Sequence, residues 1–148
     1  MKLRSLLILA AGLLVAADGS KGGAAKPDKE ILQGTWKLVA LEIDGKQVDV
    51  KGLNDARLMV KGNEYCFTLG KGHLEMTFTM DQGQQPKVID LAIAAGPNKG
   101  KTYRGIYTLE GDTFKICRHT KPDQERPTEF ATRADSGLMV VVWSRANP

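Results

Sequence analysis

At 148 residues the chain is long enough for one domain with a core of its own and too short for two. Hydrophobic residues make up 42% and charged residues 26%, a balance that excludes wholesale disorder. The formal charge of +4 comes without any run of Lys and Arg interleaved with aromatics, which argues against nucleic acid as a partner.

The first predicted element is a leader. Lys2 and Arg4 precede an apolar run from Leu6 to Ala17, with the small residues Val15 and Ala17 placed to flank a signal-peptidase site. This pattern predicts a signal peptide over residues 1–17 and an exported protein, periplasmic or extracellular. The run is shorter than the roughly 20 residues that span a bilayer, so a membrane anchor is the weaker reading, and no stable anchor is expected after cleavage. Cleavage would also remove Lys2 and Arg4, so the mature charge falls below the formal value. Residues 18–29 are small, polar and Gly-rich at their start and read as a flexible linker.

Pro27 and Asp28 suit a helix start and Gly34 its end, so PDKEILQG predicts a short helical turn. From residue 30 to 146 the pattern is otherwise that of strands. TWKLVALEIDGKQV carries β-branched and aromatic residues up to Asp44-Gly45, a strong hairpin signal. ARLMVKGNEYCFTL contains two short strands around Lys61-Gly62-Asn63. HLEMTFTMD alternates, with Leu74, Met76, Phe78 and Met80 on one face. KVIDLAIAA does the same with Ile89, Leu91 and Ile93. KTYRGIYTLEGDTFKICRH is a hairpin with its tip at Glu110-Gly111-Asp112, and GLMVVVWSR is a final apolar strand. The sum is an all-β fold, a small antiparallel up-and-down barrel of about eight strands, closed so that no sheet edge is left exposed.

One stretch suggests a different chemistry. Ala95 to Thr102, AGPNKGKT, fits the loose phosphate-loop pattern. Such a loop needs a helix after it to supply backbone N–H groups and a dipole end. The residues after Thr102 have the period-two spacing of a strand, so the stretch is expected to be a connection between strands, with no nucleotide bound. No other catalytic pattern is present. His73 and His119 form no metal-ligand spacing, and no serine sits in a G-x-S-x-G elbow. Cys117 and His119 share one side of a strand, but nothing orients the imidazole. No enzyme, metal or cofactor is therefore expected. Cys66 and Cys117 are compatible with a disulfide in an exported protein and equally with two packed thiols.

The densest polar cluster is KPDQERPTEF, residues 121–130. It reads either as a loop held by its own ion pairs or as a rim where Arg126 orients a polar ligand. The barrel interior is read in two ways as well. As a pocket it would use Phe67, Phe78, Tyr103 and Tyr107. As a filled core it would use Phe67, Phe78, Tyr107 and Phe114, with Met59, Met76 and Met80 closing gaps.

Gly34-Thr35-Trp36 at the first long strand is similar to the G-x-W start of lipocalins. In those barrels the Trp packs at the closed end under an Arg of the last strand, a place that Arg145 can take. LQGTWKLVALEIDGK, IDLAIAAGPNKGKTYRGIYTLEGDTFKIC, ERPTEF and the final apolar strand together resemble the uncharacterised lipocalin-like domain family of planctomycete bacteria, over residues 30–146. The resemblance implies a lipocalin-like barrel closed by Gly34, Trp36 and Arg145. It carries over no catalytic residue, and the lipocalin T-D-Y motif is absent from this chain. The function expected is an exported binding module for a small apolar or amphipathic molecule. The alternative is a filled barrel that serves as a structural or protein-interaction module of the cell envelope.

Overall fold

The computed structural model describes residues 26–146. The expected signal peptide and most of the expected linker lie outside the described residues. The chain divides into two units, Met1–Ile31 and Leu32–Pro148. The described part of the first holds a single helical turn, α1 (Asp28–Ile31). There the Pro27 carbonyl accepts from the Glu30 and Ile31 amides at 2.9 and 3.2 Å, as a proline just ahead of a helix start allows.

The described residues of the second unit form nine strands in one sheet. They are β1 (Gly34–Ile43), β2 (Lys46–Gln47), β3 (Arg57–Lys61), β4 (Glu64–Leu69), β5 (Gly72–Asp81), β6 (Lys87–Ile93), β7 (Thr102–Glu110), β8 (Thr113–His119) and β9 (Leu138–Arg145). Each strand from β3 to β9 pairs antiparallel with the next, β3 pairs with the first half of β1, and β9 returns to pair with β1. The eight long strands thus close an up-and-down barrel, and β2 adds a short hairpin to the far half of β1. Asp44 and Gly45 carry that hairpin with φ of 50° and 82°, the two left-handed residues that a tight turn of this hand requires.

Inward and outward residues alternate along each strand, with one interruption. Between β9 and β1 the register shifts, so that Trp143 faces Leu38, Val142 faces Ala40, and Val39 has no partner. Val39 stays outward, 47% exposed, and the change of phase after it brings Leu41 as well as Leu38 to the inside.

The end of the barrel where β1 begins is solidly packed. Phe114 lies at the centre of an aromatic group, with ring centroids 6.0 Å from Trp36, 6.5 Å from Tyr65 and 6.2 Å from Tyr107. Phe78 meets Tyr65 edge-on. Such tilted and edge-on pairs add to the area the rings bury. Leu58, Ile89 and Leu91 fill the space between them and are fully buried. Trp36 seals this end. Its indole N–H donates to the Leu32 carbonyl at 2.8 Å, and the Arg145 guanidinium covers its face at 4.3 Å. Arg145 is itself fixed by the Gln33 carbonyl at 2.9 Å and by Asp112 at 3.0 Å. Gly34 has φ of 120°, and a Cβ there would stand 3.3 Å from the Arg145 Nη1, so glycine fits on both counts.

The long connection between β8 and β9 runs across the outside of the barrel. Arg104 donates to the Gln124 carbonyl, Thr132 donates to Glu42, and the Gly137 amide donates to Asp44 at 2.7 Å. Beneath it the outward residues Ile106 and Cys117 are buried, as is Pro127 of the connection itself. Met59, expected as an interior gap-filler, is 52% exposed, because Leu58 and Val60 take the inward phase of β3.

Candidate functional site

The half of the barrel away from Trp36 holds a cavity of about 190 Å³. Its origin lies in side-chain size. At the packed end Trp36, Phe78, Tyr107 and Phe114 are interleaved with aliphatic side chains, whereas toward the other end the inward positions are mostly aliphatic: Leu38 and Leu41 of β1, Leu69 of β4, Leu74 of β5, and Met139 and Val141 of β9. An eight-stranded barrel is just wide enough to be filled by side chains or to hold one small ligand, so replacing rings by leucines leaves space. Between β2 and β3 a 3-10 turn (Lys51–Leu53) and Ala56 contribute to the lining at the mouth. The Gly70 amide donates to Asp55 at 3.0 Å, which ties this segment to the β4–β5 turn.

The aromatic residues expected to bind a ligand separate along the barrel. Phe67 lines the cavity and meets Trp143 edge-on at 6.0 Å. Phe78 and Tyr107 belong to the packed half and do not reach the cavity, because the strand register sets them on the Trp36 side. Tyr103 acts through a neighbour, since the Arg118 guanidinium stacks on its ring at 4.0 Å.

Arg126 takes the structural one of its two expected roles. It reaches the outward Asp90 at 2.8 Å and donates to the carbonyls of Gly105 at 2.9 Å and Ile89 at 3.3 Å. Asp90 Oδ1 is within ion-pair distance without hydrogen-bond geometry, so the contact is chiefly one of charge. Arg126 thereby pins the long connection to β6 and β7 on the outer wall. The shallow groove it borders, about 270 Å³, is polar, and Arg133 and Glu129 there pair with each other at 3.0 Å.

Sequence reasoning missed Arg118. The alternation Phe114, Ile116, Arg118 puts a cation on the inner face of β8, and that spacing was the available signal. Among the described residues Arg118 is the one charged residue of the cavity lining. Gly105 of β7 faces it across the ladder, and a Cβ at Gly105 would stand 3.5 Å from the Arg118 Cβ and 3.1 Å from the Cys117 carbonyl. The missing side chain lets Arg118 lie across β7 to Tyr103. Its Nη1 donates to the His119 carbonyl at 2.8 Å. Burial pulls the guanidinium below its usual pKa, with Tyr65 and Tyr103 acting in the opposite sense. Its surface exposure is nevertheless intermediate, because the uncovered part is cavity wall. Burial also pushes the Tyr65 hydroxyl up, opposed by the Arg118 charge.

The remaining sequence candidates fall elsewhere. AGPNKGKT connects β6 to β7, and β7 begins at Thr102, where a phosphate loop would need a helix. Gly96 and Gly100 turn the chain with φ of 88° and 93°. Cys66 and Cys117 are free thiols on strands that are not neighbours. Burial pushes both thiols up, with added repulsion from Glu75 and Glu64 at Cys66. His73 is exposed and pairs with Glu75 at 3.1 Å.

The chain matches no family model, no curated protein and no solved structure.

Proposed function

We propose that this protein is an exported lipocalin-like binding module that holds a small apolar or amphipathic molecule inside its barrel. The observation that carries this reading is the apolar cavity of about 190 Å³ in one half of a closed eight-stranded barrel. The division of labour along the barrel supports it. One half is packed solid, with Trp36 and Arg145 over its end. The second half is lined mostly by aliphatic side chains around open space, an arrangement that costs packing energy unless something fills it. The leader read over residues 1–17 supports export, and the order of the LQGTWKLVALEIDGK and ERPTEF stretches supports the lipocalin-like assignment. A filled barrel serving as an interaction module of the cell envelope is the less supported reading, since it leaves the cavity without a role.

Trp143 lines the cavity, so its emission reports on occupancy. Titration with 1-octanol, a neutral chain of suitable width, is expected to give a saturable change in tryptophan fluorescence and a raised unfolding temperature. An unchanged emission together with an unchanged melt would return the chain to the filled-barrel reading.

A further inference from the structure

We infer that the cavity takes its ligand by an anionic end, with Arg118 as the anchor, and that the ligand class is a small carboxylate carrying one short aliphatic or aromatic tail. This rests on the binding reading above and narrows it.

The first ground is isolation of the charge. Among the described residues the rest of the lining is uncharged, and most of it is aliphatic. Among the described residues no carboxylate lies in ion-pair range of Arg118, whereas Arg126, Arg133 and Arg145 each have one. A guanidinium stays charged in proteins, and a charge in apolar surroundings is costly until an opposite charge joins it. If Arg118 served only to fill space, a methionine would do so at lower cost.

The second ground is orientation. The Tyr103 ring, stacked on the guanidinium, and the His119 carbonyl hold it in place. A guanidinium has five N–H donors, and the one bond to the His119 carbonyl leaves others for a ligand where Arg118 lines the cavity. A guanidinium fork matches the two oxygens of a carboxylate. Gly105 is what allows the side chain to lie down in this pose. Tyr65 also belongs to the lining, and its hydroxyl forms no hydrogen bond among the described residues. It can donate to the same anion.

The third ground is size. An apolar cavity of about 150 Å³ takes up benzene. At about 190 Å³ the present one has room for a single ring or a short chain, and not for a long lipid tail or a large polycyclic ligand.

The test compares octanoate with 1-octanol, equal in chain length and different in charge, by titration calorimetry on the intact barrel at neutral pH. Wild-type protein is expected to bind octanoate about tenfold or more tightly than 1-octanol, as a charge-assisted pair in a dry site implies. Arg118→Met should remove that preference and leave 1-octanol binding in place. Arg118→Lys, which keeps the charge and loses the fork, should fall between them. Thermal melts check that the variants fold, and the wild-type comparison decides the matter even if Arg118→Met does not. Equal affinity of the wild type for the two probes, or a preference that survives in Arg118→Met, would overturn the anchor while leaving the cavity as a binding site. Binding of neither probe would overturn both readings.

Discussion

Replacing Trp36 by alanine tests how the barrel is sealed. Trp36 is fully buried, touches Phe114, donates to the Leu32 carbonyl at 2.8 Å and carries Arg145 on its face at 4.3 Å. Truncation leaves a cavity and removes buried apolar area, which costs about 3–5 kcal/mol. The Leu32 carbonyl also loses its partner, and an orphaned buried acceptor adds about 1–3 kcal/mol unless water reaches it. Against a typical domain stability of about 5–15 kcal/mol, this change threatens folding. Arg145→Ala is milder. It loses the stack, about 0.5–2 kcal/mol, and the pair with Asp112, which is 77% exposed and so contributes at most about 1 kcal/mol. It also removes the part-buried hydrogen bond to the Gln33 carbonyl. Because the stack is counted in both single changes, the double variant should lose about 0.5–2 kcal/mol less than their sum. Urea denaturation of all four proteins measures these quantities. Strict additivity, or a Trp36→Ala loss below about 1 kcal/mol, would refute the sealing role.

Arg126→Ala should unpin the β8–β9 connection and uncover Cys117, so a thiol reagent that reacts slowly with the folded wild type should label Cys117 faster in the variant, with octanol affinity unchanged; equal labelling rates would count against the pinning. Lys101→Ala should leave ATP affinity as negligible as in the wild type, because β7 follows directly; micromolar ATP binding lost in the variant would overturn this. Protein recovered from the exported fraction should begin at or near Asp18, and terminal sequencing that finds Met1 there would contradict cleavage.

Much of the barrel was legible because period-two patterning needs no tertiary information. Ile89, Leu91 and Ile93 are all buried on one face of β6, and Met76 and Phe78 on one face of β5, as their spacing implies. The hairpins at Asp44-Gly45 and at Gly111 announce themselves by residues suited to positive φ. Trp36 and Arg145, at opposite ends of the pattern, are brought into contact by the β1–β9 pairing. The position of a residue along the barrel axis was not legible. It depends on register, which alternation does not encode, so Phe67, Phe78 and Tyr107 looked equivalent although only Phe67 reaches the cavity. The bulge at Val39 was hidden for the same reason. Strict alternation from Trp36 would send Glu42 into the barrel, and only the unpaired residue restores it to the outside, where Thr132 and Gln47 bond to it. Arg118 was overlooked because a cation at the end of a strand reads as a solvated edge until the strand is seen to line a cavity. Arg126 drew attention instead, since loop residues so often bind ligands, yet its charge is spent on Asp90 and two carbonyls.

The central claim is that one half of the barrel is solid and the other half holds a ligand. Methyl-resolved NMR during titration with 1-octanol tests it most directly, because the two halves carry different methyl groups. The account expects saturable shifts at Leu38, Leu41, Leu74, Met139 and Val141, with Ile89, Leu91 and Leu58 nearly still. Shifts spread evenly over both sets, or confined to outward methyls such as Val39 and Met59, would contradict it.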